Sequence, residues 1–146
     1  RMYEQAIANY ETSLNGTFKN DFYVISKLEE AYYFSSQFEK AIACAERITD
    51  NSRFKKSRAS FIYALALEKT GKVDLAETYL VKFDAPYSRY EERLELAKFY
   101  IRNTKTDKAK EILKEIARES EGMSKVSYRQ HKISINKAKE LLDSGV

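Results

Sequence analysis

The sequence predicts an all-α protein built from antiparallel helix pairs, and three observations support this fold class. Glycine and proline number only 4 and 1 in 146 residues, which disfavours many short strands and tight turns. A short motif that ends in alanine recurs along the chain. Apolar residues also recur four positions apart, which is the spacing of one helix face. A chain of this length without a linker is expected to form one domain.

The recurring motif reads YEQA, FEKA, VDLA and TDKA. Its alanines are Ala6, Ala41, Ala76 and Ala109, and they are 35, 35 and 33 residues apart. Each copy has an acidic residue two positions before the alanine, where the partial positive charge of a helix N-terminus stabilises it. The small side chain allows a neighbouring helix to approach closely. We therefore interpret each motif as the start of the second helix of a pair.

A second set of apolar residues precedes these motifs and predicts the first helix of each pair. Leu28, Tyr63 and Leu96 are each followed, four residues later, by another large apolar residue. The predicted helices cover residues 1–14, 20–35, 38–50, 54–70, 73–84, 88–103, 106–120 and 123–143. We expect Asn15-Gly16 to end the first helix. Ser88 and Glu91 are expected to form a capping box at the start of the sixth.

These residues resemble the tetratricopeptide repeat (TPR) family over about residues 1–120. The clearest match runs from Leu28 to Ile48. The resemblance implies a right-handed superhelix, an αα-solenoid, with a half repeat at 1–16 and full repeats at about 20–51, 54–85 and 88–120. Two features depart from the family pattern. Glu29 occupies a position where the family prefers glycine or alanine, so we expect looser packing there. No unit has the closing proline, because Pro86 comes two residues early.

The last segment does not keep the repeat period, and we predict that residues 123–143 form one capping helix. The alternative is a fifth, divergent pair. The packing stripe is predicted from Val126, Ile133, Ala138, Leu141 and Leu142. At Tyr128-Arg129 and Ile135-Asn136-Lys137-Ala138 the segment also resembles the terminal helix of some bacterial repeat proteins that carry an N-terminal membrane anchor. Since the chain opens on Arg1 and not on methionine, we expect it to be a fragment of a longer protein.

The resemblance places a binding groove on the first helices of the pairs. Its predicted residues are Tyr23, Tyr33, Phe34, Arg58, Phe61, Leu65, Leu94, Lys98, Ile101 and Arg102. Several are large and apolar, which is typical of an interaction site. Two interpretations remain open: either the groove binds a peptide or protein segment, or the terminal helix or a missing repeat covers these side chains. The family implies a non-catalytic scaffold that binds protein. Self-association as a homo-oligomeric regulatory module is an alternative.

No set of residues in the sequence predicts an enzyme, a metal site or a cofactor site. His131 is the only histidine and Cys44 the only cysteine. We predict a solvated surface position for His131 and a small buried apolar role for Cys44. A single free thiol fits a reducing compartment, so we expect a cytoplasmic protein unless a missing segment anchors it. No apolar stretch approaches the length of a membrane span.

The terminal segment carries a basic patch. Its residues are Lys125, Arg129, Lys132, Lys137 and Lys139, and no acidic residue occurs between Glu121 and Glu140. The simplest interpretation is a solvated face of an end helix. The alternatives are contacts with nucleic acid, an anionic membrane or an acidic partner. The net charge of only +4 and the lack of interleaved aromatic residues disfavour nucleic acid.

Overall fold

The computed structural model describes residues 2–146, and in that range it shows eight α-helices and no strand. The helices are α1 (Met2–Leu14), α2 (Phe22–Phe34), α3 (Phe38–Glu46), α4 (Arg58–Lys69), α5 (Val73–Leu80), α6 (Tyr90–Arg102), α7 (Thr106–Glu121) and α8 (Lys125–Asp143). The all-α prediction is confirmed, and each predicted segment contains one helix. Arg1, with which the first helix was predicted to begin, lies outside the described residues.

The chain divides into two compact units at a short 3₁₀ turn, Val81–Phe83. Unit 1 extends to Lys82 and contains α1 to α5. Unit 2 is Phe83–Val146 and contains α6 to α8. In unit 1 each helix packs on the next one, and α2 also packs on α4. In unit 2, α7 packs on both α6 and α8, and α8 returns to pack on α6.

The three turns inside the helix pairs have the same geometry. Ser36, Gly71 and Thr104 follow the first helices and have left-handed φ values of 64°, 87° and 60°. In each turn the next amide donates to a carbonyl five residues earlier, over 2.8 Å, as from Lys72 to Leu67. This is the Schellman arrangement, which satisfies the last carbonyl groups of a helix. Glycine adopts this φ most easily, so Gly71 is the residue best suited to its position.

Side-chain caps begin three helices. Asp21 Oδ1 accepts from the Val24 amide over 2.9 Å at α2. Ser57 and Ser124 perform the same role at α4 and α8.

The predicted capping box at Ser88 and Glu91 is wrong, since α6 begins at Tyr90 after Arg89, whose φ is 51°. The Ser88 hydroxyl instead donates to the Ala85 carbonyl over 3.0 Å. It is therefore already engaged in the turn that precedes the helix.

Helix α8 is a single helix, but its packing face differs from the predicted stripe. Ile135 and Ala138 are fully buried, whereas Val126 and Ile133 are 65% and 87% exposed. The prediction is therefore wrong for these two residues. Its error is geometric, because five residues separate Ile133 from Ala138 and turn the helix by about 140°. The two side chains cannot share one face.

Glu29 in α2 is fully buried, and neither of its carboxylate oxygens has a hydrogen-bond partner. Burial, with the nearby Glu30 carboxylate as the second cause, raises the pKa of Glu29 well above its ordinary value. The equivalent positions in the next two pairs are Ala64 and Ala97, both fully buried. The position at which we expected looser packing thus holds an enclosed acid without a hydrogen-bond partner.

Unit 2 encloses a satisfied ion pair instead. The guanidinium of Arg93 donates to both carboxylate oxygens of Glu119, over 2.8 and 2.9 Å. Glu119 Oε1 also accepts from the Tyr90 hydroxyl and the Tyr87 amide. Burial alone would raise the pKa of Glu119, but the hydrogen bonds from these partners outweigh it and lower the pKa below its ordinary value. The cluster joins α6, α7 and the loop that precedes α6.

We expect Glu119→Gln to lower the free energy of unfolding by about 3–5 kcal/mol, because it removes the buried counter-charge of Arg93 and leaves only the exposed Asp84, whose Oδ1 lies 3.3 Å from Arg93 Nε. Urea denaturation followed by circular dichroism measures this. Glu115→Gln is the matched control on α7, since Glu115 pairs with the exposed Arg118, and it should change stability little. Equal effects of the two substitutions would contradict the structural role of the buried pair.

We expect the stability of the wild-type protein to fall as pH rises above the ordinary Glu pKa of 4.5. Across that window folded Glu29 retains a proton that the unfolded chain releases, so the slope approaches about 1.4 kcal/mol per pH unit. The pKa values of Cys44 and Tyr63 nearby are raised to about 12, so neither adds to this slope near neutral pH. Denaturation curves from pH 5 to 9 measure it.

In Glu29→Gln the pH dependence should flatten, and the variant should be more stable than wild type at the alkaline end of this range. Glu39→Gln, at an exposed position of α3, is the control and should keep the wild-type slope. An unchanged slope in Glu29→Gln would show that another group binds the proton.

Candidate binding cleft

A cleft of about 190 Å³ lies between α2 and α4 in unit 1. Its lining residues are Phe22, Tyr23, Ser26, Lys27, Glu30, Ser57, Arg58, Ala59 and Ile62. All of them except Glu30, which lies in the second half of α2, are in the N-terminal halves of the two helices or at the α4 cap. The side-chain caps of Asp21 and Ser57 fix the points where these helices begin. Local sequence signals therefore determine where the two helices that border the cleft begin.

The rim of the cleft carries more positive than negative charge. Glu30 is its one carboxylate, and its oxygens lie 3.2 Å from Arg58 Nε and 3.9 Å from Lys27 Nζ. The guanidinium of Arg53 lies over the Phe22 ring, 4.7 Å from its centroid. Tyr23 is 64% exposed and stands beside this charge network. The arrangement offers apolar contact area, one large aromatic ring and cations that an acidic partner group can reach.

Of the six predicted groove residues in unit 1, the structure places Tyr23 and Arg58 at this cleft. Tyr33 and Phe34 lie at the opposite end of α2, where their rings contact edge to face with centroids 5.2 Å apart. Leu65 is half-buried. Phe61 is buried, with 7% of its surface exposed, so it belongs to the core and not to an accessible surface.

The remaining predicted groove residues lie in unit 2, on α6. Leu94 is 6% exposed and also belongs to the core. Lys98 and Ile101 are half-buried, and Arg102 is exposed. Lys98 Nζ lies 3.4 Å from Glu95 Oε1, one turn away. The helical period alone could not separate Phe61 and Leu94 from the accessible positions, since the first helices have more than one packing neighbour.

A larger concavity in unit 1, of about 630 Å³, was not predicted from the sequence. It lies among α1, α2 and α3, and its lining includes Glu11, Tyr32, Lys40, Cys44 and Arg47. The Tyr32 hydroxyl donates to Glu11 over 2.5 Å. Burial, followed by the charge of Glu29, raises the pKa of Cys44 to about 12. The thiol is thus protonated at neutral pH and a poor nucleophile, in line with the predicted structural role.

His131 differs from its predicted solvated position. Its ring is half-buried, with Nδ1 2.9 Å from Glu91 Oε2 and its centroid 5.1 Å from that of Tyr90. These contacts join α8 to α6, so the residue has a packing role.

No group of three His, Cys, Asp or Glu side chains within residues 2–146 is placed to hold a metal ion. In the same range no helix has the length and hydropathy needed to cross a membrane.

The predicted basic patch on α8 separates into two groups. Lys125, Arg129 and Lys132 are exposed on the N-terminal half of the helix, whereas Lys137 and Lys139 are half-buried. Lys137 Nζ lies 3.1 Å from Glu140 Oε1. Positive charge without a local counter-charge is therefore concentrated at the first three residues.

Comparison with known proteins found no matching family model, no matching curated protein and no matching solved structure.

Proposed function

We propose that this chain is a non-catalytic protein-interaction scaffold, and that the α2/α4 cleft receives an apolar side chain of a partner peptide. The observation that carries the proposal is the meeting of Tyr23 and Arg58, both predicted from the sequence, at an apolar cleft between two first helices. Tyrosine and arginine are the residue types most often found at the energetic centres of protein interfaces.

The dimensions of the cleft favour a peptide anchor over a small molecule. Pockets that bind drug-sized ligands are usually about 300–1,000 Å³, and this cleft has about 190 Å³. A single large side chain is a better match to that space. The resemblance of the chain to the TPR family supports the same function, because in that family the first helices present the groove.

The charges at the rim favour an acidic flank beside the anchor. Glu30 already lies near Lys27 and Arg58, so a single carboxylate is shared by two cations. A carboxylate of the partner next to the apolar anchor would complete their neutralisation. Such charge complementarity contributes to specificity and to the association rate.

We expect the purified chain to enrich, from a displayed library of random peptides, sequences with an aliphatic or aromatic residue next to Asp or Glu. Tyr23→Ala combined with Arg58→Ala should weaken binding of an enriched peptide at least tenfold, as estimated from the cost of losing hot-spot residues. Fluorescence anisotropy measures the affinity, and far-ultraviolet circular dichroism should stay unchanged because both side chains are exposed.

Phe18→Ala combined with Lys55→Ala is the matched control, since it removes one exposed aromatic and one exposed cation elsewhere in unit 1. This control should bind the peptide as the wild type does. Light scattering across concentration tests self-association, the alternative function. A library that yields no common anchor, or an enriched peptide that binds the cleft variant normally, would contradict the assignment.

A further inference from the structure

The outer face of α8 combines exposed apolar residues with cations. Val126 and Ile133 are 65% and 87% exposed, and they lie about two helical turns apart on one side of the helix. Arg129 lies between them in the sequence, one turn from each. A lone exposed apolar residue is ordinary on a protein surface. A helix face that only contacts water does not need two exposed β-branched residues on either side of an arginine.

The cations of this face lack local counter-charges. Lys125, Arg129 and Lys132 are exposed and form no ion pair with any described residue. On α7, Arg118 pairs with Glu115 three residues earlier, and the exposed Lys114 is an isolated cation without an ion pair to a described residue. The second half of α8 resembles α7, since Lys137 pairs with Glu140. The exposed cations of α8 that form no ion pair with a described residue therefore all lie in the part of the helix that also carries Val126 and Ile133.

The same three cations border a shallow concavity of about 460 Å³, together with Ser120, Met123 and Tyr128. Val126 and Ile133 are not part of its lining and project into solvent beside it. The surface therefore offers a cationic recess next to protruding apolar side chains. A phospholipid headgroup carries the phosphate that such a recess attracts, and the acyl boundary below it accepts apolar side chains.

We infer that the N-terminal half of α8 docks on a membrane surface that contains anionic phospholipid. Lys125, Arg129 and Lys132 contact the lipid phosphates, while Val126 and Ile133 enter the interface. The helix lies on the bilayer and does not cross it.

A nucleic acid fits this surface less well. Its phosphates would use the cations but leave the two apolar side chains in water. Tyr128 is the only tyrosine, phenylalanine or tryptophan between Lys125 and Ile133. It is half-buried, and its hydroxyl donates to Asn136 over 2.8 Å, so its ring is poorly placed for base stacking.

The absence of tryptophan from the chain allows a direct test of insertion. In Ile133→Trp, tryptophan emission should shift to shorter wavelength when vesicles of phosphatidylcholine with phosphatidylglycerol are added. Vesicles of phosphatidylcholine alone should cause no shift. Leu75→Trp, at another exposed apolar position, is the control and should show no shift with either vesicle. Absence of a shift in Ile133→Trp would overturn the inference.

Co-sedimentation with the same vesicles measures the contribution of charge. Removing one cation near an anionic membrane weakens binding about fivefold, so Arg129→Gln with Lys132→Gln should weaken it about 25-fold. Lys55→Gln with Lys114→Gln changes the net charge equally at exposed positions and should keep nearly full binding. Ile133→Ser should weaken binding about tenfold through the loss of apolar contact.

Three results would overturn the inference. The first is no binding of the wild type to anionic vesicles at low salt. The second is an equal loss of vesicle binding in the Arg129→Gln, Lys132→Gln variant and in the Lys55→Gln, Lys114→Gln control. That result would indicate that net charge alone attracts the protein to the vesicles. The third is binding of a labelled single-stranded oligonucleotide that needs Arg129 and Lys132, together with vesicle binding that is insensitive to Ile133→Ser. That result would assign the surface to nucleic acid.

Discussion

The helix pairs of this protein depend on an alanine placed where the second helix of each pair begins. Ala41, Ala76 and Ala109 are fully buried, and each amide donates to the carbonyl of the residue that precedes its helix. Each alanine also follows the left-handed residue of its turn by the same interval, from Ser36 to Ala41 and from Gly71 to Ala76. The turn and the close approach of the helices therefore form one local arrangement, and a larger side chain there would force the pair apart.

This arrangement determines which surfaces remain for other contacts. Within unit 1 the first helix of a pair packs on its own partner and also on the neighbouring first helix, as α2 packs on α3 and on α4. The cleft at Tyr23 and Arg58 lies at that meeting. The position of the cleft therefore depends on contacts between helices that are distant in sequence. Its chemistry depends on side chains that remain exposed after these helices have packed.

The sequence predicted the helices well and the surfaces less well, for physical reasons. Turns and most helix starts are determined locally, so the alanine motif and the turn-prone residues located the helices of the pairs, although Ser88 was wrongly predicted to cap α6. Whether Phe61, Leu94 or Ile133 is buried depends on neighbours that are distant in sequence. The helical period cannot supply that information, and it assigned Phe61 and Leu94 to a groove and Ile133 to a packing stripe. The pairing of Arg93 with Glu119 spans 26 residues and left no periodic signal at all.

Glu29 gives unit 1 a property that its apolar core would otherwise lack. Its carboxyl group is enclosed and has no hydrogen-bond partner, so its proton can reach water only when the surrounding helices separate transiently. Exchange of this one proton is therefore coupled to local opening of the unit, and a rise in pH would favour the opened conformations. The alanines at the equivalent positions of the next two pairs have no proton to exchange. In the first pair, proton concentration and local opening are consequently linked through this carboxyl group.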